Sequence, residues 1–146
     1  MRFQALMILS ATLTLLPTVL GDAVQAENPA HVQQLLETRV CVNCDLAGAD
    51  LSGEHLIGVD LRGANLSGAN LIATNLEGAD LTGANLQGAN LTEAFLTNAV
   101  LNEANLNGID LTRARMYHAQ VQGASMNNIT LTDAEVYGTG ISVGGE

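Results

Sequence analysis

Ala79-Asp80-Leu81-Thr82-Gly83 is followed at once by Ala84-Asn85-Leu86-Gln87-Gly88, and Ala64-Asn65-Leu66-Ser67-Gly68 has the same form. Outward from this stretch the chain can be cut every five residues, without insertion, from Cys44 to Val143. Leu46 is the centre of the first unit and Ile141 that of the twentieth. Fifteen of the twenty centres are Leu, and the rest are Met116, Val121, Met126, Val136 and Ile141. Two residues before the centre, thirteen positions are Ala; one before, eleven are Asn or Asp; two after, eleven are Gly.

A period of five fits neither a helix at about 3.6 residues per turn nor a strand at about 2. It fits a short extended piece that ends in a tight corner. The centre points inward, and the residues on either side of it point outward. The Gly position falls second in the turn, where a type II turn needs positive φ. The Ala position re-enters the core just past the corner, where only a small side chain fits. Four corners then close a square coil of twenty residues, and the twenty units stack as about five coils, roughly 4.8 Å apart. One coil cannot bury enough apolar surface by itself, so stability comes from stacking.

The composition agrees with a space that repeats. Apolar residues make up 47% of the 146, yet Trp is absent and there are only two Phe and two Tyr. An irregular core needs large side chains of varied shape, and this one is built from Leu and Ala. The net charge is −10, and all five basic residues are Arg. An acidic chain with dispersed Arg is poorly suited to hold nucleic acid through its phosphates.

The register and motif resemble the pentapeptide-repeat family, whose pattern is Ala, Asp or Asn, Leu, any residue, then Gly or similar. The resemblance covers residues 44–143. It implies an all-β solenoid, a right-handed quadrilateral β-helix. The handedness is carried over from the family.

Residues 1–26 read as a secretory signal peptide. Arg2 supplies the positive start, Ala5 to Leu20 is the apolar run, and Val24-Gln25-Ala26 is the cleavage site. The apolar run is about 16 residues, shorter than the roughly 20 that span a bilayer. Cleavage removes Arg2 and Asp22, one charge of each sign, so the net charge stays at −10. The mature protein is expected to be exported and to make no membrane contact. A signal peptide and a CxxC ahead of the repeats are similar to exported members of the family found in the periplasm or thylakoid lumen.

Residues 27–43 are expected to form a cap and linker. Asn28-Pro29 is a start signal for a short helix over His31 to Thr38, with Val32, Leu35 and Leu36 on one side as a lid over the first coil. At the other end, residues 144–146 form a tail, and the last coil has no such lid. End-to-end homodimerisation through that coil is the corresponding expectation, and a strictly monomeric mass at high concentration would refute it.

Cys41 takes a centre-like position and Cys44 an Ala position. Three readings compete. An oxidising compartment favours a structural disulfide, which contributes about 2 kcal/mol for so short a loop. A redox dithiol lacks its usual βαβ context. A zinc site needs two more ligands, and His31 and His55 are the nearby candidates.

Residues twenty apart share a face. Three faces carry mostly Asn, Asp, Ser and Thr. The third differs: one column runs His55, Asn75, Phe95, Arg115, Glu135, and the next runs Ile57, Glu77, Thr97, Tyr117, Tyr137, with His118 at the following corner. Phe95, Arg115, Tyr117, Tyr137 and His118 form a candidate binding patch, because exposed aromatics with Arg are the composition of interface hot spots. The same residues could instead stabilise the wall by cross-strand packing. Glu54 occupies an Ala position and is a misfit of the first coil.

No nucleophile elbow, phosphate loop or metal triad is present, so neither catalysis nor a cofactor is expected. The leading function is an exported interaction or scaffold module that presents a flat face to a protein partner or to itself. Some members of the family mimic DNA and block topoisomerases, which makes such mimicry the alternative; a thiol redox protein is a third. The signal peptide speaks against a target in the nucleoid.

Overall fold

A computed structural model of the chain describes residues 27–141. Residues 1–26, expected to be a signal peptide, and residues 142–146, which include the expected tail over 144–146, lie outside the described residues.

Each residue ahead of a centre forms a single-residue parallel bridge with the residue twenty positions on, from Val40↔Asp60 to Arg115↔Glu135. The pairing is thus already present at Val40. Four two-residue turns fall in each twenty-residue register. A full accounting of one unit explains its residue types. The amide of Asn85 donates to the Ala64 carbonyl of the preceding coil at 2.9 Å. Leu86 and Gly88 donate to Asn105 and Asn107 of the following coil at 2.8 and 2.9 Å. Ala89 donates across the corner to the Leu86 carbonyl at 2.9 Å. That leaves only the amide of Gln87 without a backbone acceptor, and it donates to Asn85 Oδ1 at 3.2 Å. Buried or half-buried amides must find partners. Where Asn or Asp precedes the centre, it is therefore the acceptor that completes the unit. Where Ser or Thr follows the Leu, its hydroxyl donates to the same oxygen, as Thr82 does to Asp80 at 2.6 Å and Thr112 to Asp110 at 2.6 Å.

The corner's second residue has positive φ throughout, for example 67° at Gly83 and 64° at Gly68. The same conformation is imposed on Ala73, Glu93, Glu103 and Arg113 at 54–60°, because the ladder on both sides of the corner fixes it.

Leu46 to Leu111 and Met116 stack as a single buried column system with the Ala positions between them. Burial fades in the last described coil, where Met126, Leu131, Val136 and Ile141 are only partly covered. Glu54 keeps its backbone bonds, to Leu51 at 3.2 Å and from Asn75 at 2.9 Å, while its side chain stays exposed. In the coil above it, Thr74 is fully buried and donates its hydroxyl to the Leu51 carbonyl at 2.7 Å.

Helix α1 spans Pro29–Thr38. Asn28 caps it by accepting from the Ala30 amide at 3.2 Å, and Arg39 closes it with φ 58°. Leu35 is fully buried against the repeats and Val32 packs beside it. His31 Nδ1 accepts from the Asp45 amide at 3.0 Å, tying α1 to the first corner. Leu36, expected beside Leu35, is 44% exposed instead. It lies one helical step of about 100° around the axis, and the helix presents only a narrow stripe to the repeats.

Two exposed corners set an acid dependence. Arg62 donates from Nε and Nη2 to Asp60 at 2.8 and 2.7 Å, and this holds the Asp60 carboxyl below the usual range. The Ser52 hydroxyl donates to Asp50 at 2.7 Å and lowers that carboxyl too. Both groups have a lower pKa folded than unfolded. Their stabilisation is complete above about pH 4 and is lost as pH falls through the lowered values. The melting temperature should therefore drop on the acid side, and Asp50→Asn with Asp60→Asn should flatten that limb in a thermal-melt series against pH.

Candidate functional site

The ladder sets Phe95, Arg115 and Glu135 directly in line on the third face, each bridged to the next. The Arg115 guanidinium lies over the Phe95 ring, 5.2 Å from its centroid. Its Nε is 3.8 Å from Glu135. Glu135 also accepts a hydrogen bond from the Tyr117 hydroxyl. That bond is the main reason the Tyr117 phenol is pushed above its ordinary pKa. At the next corner the His118 ring meets Tyr137 edge-on, with centroids 5.7 Å apart. Gly138 makes room for this arrangement, because a Cβ there would come 2.5 Å from His118 Nδ1. Tyr137 is 73% exposed. Phe95, Arg115 and Tyr117 are thus joined through Glu135, and His118 and Tyr137 form a second pair at the adjoining corner.

The structure adds residues that the face columns alone did not single out. In the corner preceding this face, Arg113 is ion-paired to Glu93. Ala73, Glu93, Phe95, Arg113 and Arg115 line a surface hollow of about 250 Å³. A sequence signal for them exists. After Gly53 this corner column runs Ala73, Glu93, Arg113, Asp133, four successive departures from Gly at a position of positive φ.

The backbone accounting gives these side chains a second meaning. Asn75, in the same column, accepts from the Glu77 amide at 3.0 Å. Phe95 and Arg115 cannot do this, and the amides of Thr97 and Tyr117 find no acceptor among the described residues. The strip gives up a hydrogen bond that Asn or Asp makes at this position, and among the described residues the amides of Ile57, Asn102 and Thr132, which follow His55, Val100 and Thr130 in the same way, lack it too.

The sulfur atoms of Cys41 and Cys44 are 2.02 Å apart, with Cα atoms at 5.3 Å. Both side chains are buried, 0% and 4% exposed, in the first corner beneath α1. His31, one of the two candidate zinc ligands, has its Nδ1 engaged with the Asp45 backbone. Among the described residues no helix is long and apolar enough to cross a membrane.

The first face is a continuous side-chain ladder. Asn105 donates to Asn85 at 3.0 Å, Asn85 to Asn65 at 3.2 Å, and Asn65 to Asp45 at 3.0 Å. These three Asn side chains therefore donate within the wall.

No curated protein matches the chain by sequence. Among solved structures, it is similar to a pentapeptide repeat protein from the Arabidopsis thaliana thylakoid lumen, at 31% identity and TM-score 0.59 over 60% of this chain. The match spans 61% of the length of that protein. It is also similar to a pentapeptide repeat protein from Nostoc Pcc 7120, at 28% identity and TM-score 0.57, over 75% of this chain and 95% of that one. The family model for pentapeptide repeats, in eight copies, matches overlapping segments 41–78, 60–98, 79–116 and 96–133. The five-residue unit, the twenty-residue register and these matches lead to one assignment: the chain belongs to the pentapeptide-repeat family.

Proposed function

We propose that the chain is an exported, non-catalytic interaction module whose third face docks a protein partner. The rod is a right-handed, four-sided β-helix of about five coils, lidded by α1 and fastened by a Cys41–Cys44 disulfide. The observation that carries the reading is the strip Phe95–Arg115–Tyr117. At Phe95 and Arg115 the chain forgoes the amide cap that Asn provides elsewhere in the wall. Exposed aromatic side chains grouped with Arg on one face are the composition of interface hot spots. The signal-like start and the lumenal Arabidopsis relative support export. The partly covered Met126, Leu131 and Val136 support a homodimer through the last coil, which a monomeric mass at high concentration overturns.

The test is the triple variant Phe95→Asn, Arg115→Asn, Tyr117→Thr. Two new caps offset the lost side-chain pairs, which contribute roughly 0.2–1 kcal/mol each. Unfolding free energy should therefore stay within about 1 kcal/mol of the parent, while a partner captured by the parent from the exported fraction is lost. A loss of several kcal/mol, or an unchanged set of captured proteins, overturns the binding role.

A further inference from the structure

We infer that the hollow beside Arg113 and Arg115 takes the C-terminal residue of a partner polypeptide. This rests on the reading that the third face binds protein, and it names what is bound. Three chemistries meet around the hollow. Its apolar walls are the Ala73 methyl and the Phe95 ring. Ala73 matters by being small: the two residues above it in the column are Glu93 and Arg113, and a side chain of that length at position 73 would fill the space. Two guanidinium groups from one coil, Arg113 and Arg115, supply donors, and each remains more than half exposed, at 59% and 55%. The Glu93 carboxylate, ion-paired to Arg113, supplies an acceptor on the lining.

A terminal residue carries the complement of all three. Its side chain fills the apolar space, its carboxylate meets the guanidinium pair, and its own amide N–H faces Glu93. An internal Asp or Glu offers the carboxylate without an apolar body. An internal Phe or Leu offers the body without the charge. The volume also fits one residue: about 250 Å³ lies below the roughly 300–1,000 Å³ of sites that enclose a whole small molecule. Arg is suited to this task because its planar fork meets a carboxylate with two parallel bonds. Arg115 is held ready by Phe95 beneath it and Glu135 beside it, so little side-chain freedom is lost on binding.

The probes are two peptides, acetyl-Gly-Gly-Phe with a free carboxylate and the same peptide as its C-terminal amide, titrated into the full-length ¹⁵N-labelled chain. The acid should shift amides at 93–95 and 113–115 saturably, and at least tenfold more tightly than the amide. Arg115→Gln should abolish that preference. Phe95→Asn, which restores a corner cap and so keeps the fold, should weaken both peptides. Acetate alone should give no saturable shift at the same concentration. Equal affinity for the two peptides, an equal response to acetate, or no shifts at millimolar peptide overturns the inference. A captured partner that cross-links to the third face through an internal segment also overturns it, and leaves the wider interaction role standing. Absence of any partner that depends on the third face removes both.

Discussion

Leu86→Ala should lower the unfolding free energy by about 2–5 kcal/mol, the range for emptying a fully enclosed aliphatic site. Leu86 has no exposed surface and sits between Leu66 and Leu106 in the middle of the stack. The walls that would have to collapse into the cavity are held by backbone bonds on both sides, Leu86 to Asn105 at 2.8 Å and Asn85 to Ala64 at 2.9 Å. Relaxation is therefore small and the cost should fall in the upper part of the range. The same change at Leu131, which is only partly buried, should cost clearly less. Denaturant unfolding followed by circular dichroism checks both. Equal losses at the two positions would mean that burial does not fade along the rod.

Ala84→Leu tests the other half of the unit and should cost about 1–3 kcal/mol or more, as overpacking does. Ala84 is fully buried, and its amide donates across the corner to the Leu81 carbonyl at 3.0 Å. Its column neighbours are Ala64 and Ala104, also buried. No space opens above or below it, so the larger side chain must push the corner outward and stretch the ladder. An apolar gain of burial would predict stabilisation; packing at a fixed corner predicts the reverse. Unfolding of the variant beside Leu86→Ala decides between them.

The path of the chain was legible because its two large constraints are written in residue types. Leu and Ala mark the inside, and their period of five sets the corners. The twenty-residue register then places Phe95, Arg115, Tyr117 and Tyr137 on one face, with His118 at its corner. Features that depend on side-chain reach were less legible. Leu36 was expected in the lid contact, but one helical step of about 100° turns it away from the repeats, and only Leu35 with Val32 beside it packs there. The first face read as a bland polar surface, whereas Asn65, Asn85 and Asn105 bond to one another across coils. Nothing in a column of Asn distinguishes side chains that face water from side chains that face each other. The hollow was missed for a related reason. Its floor is an Ala at a Gly position, and its rim is made by the length of Glu93 and Arg113 rather than by any motif.

The claim on which all this depends is that residues twenty apart stand directly above one another. A long-range HNCO spectrum reads it without reference to side chains, because scalar coupling crosses a hydrogen bond from amide nitrogen to acceptor carbonyl. The structure predicts a cross-peak from the Leu86 amide to the Asn105 carbonyl and one from the Asn85 amide to the Ala64 carbonyl. Cross-peaks linking these amides to carbonyls at any other separation would contradict the register, and with it the faces, the strip and the hollow.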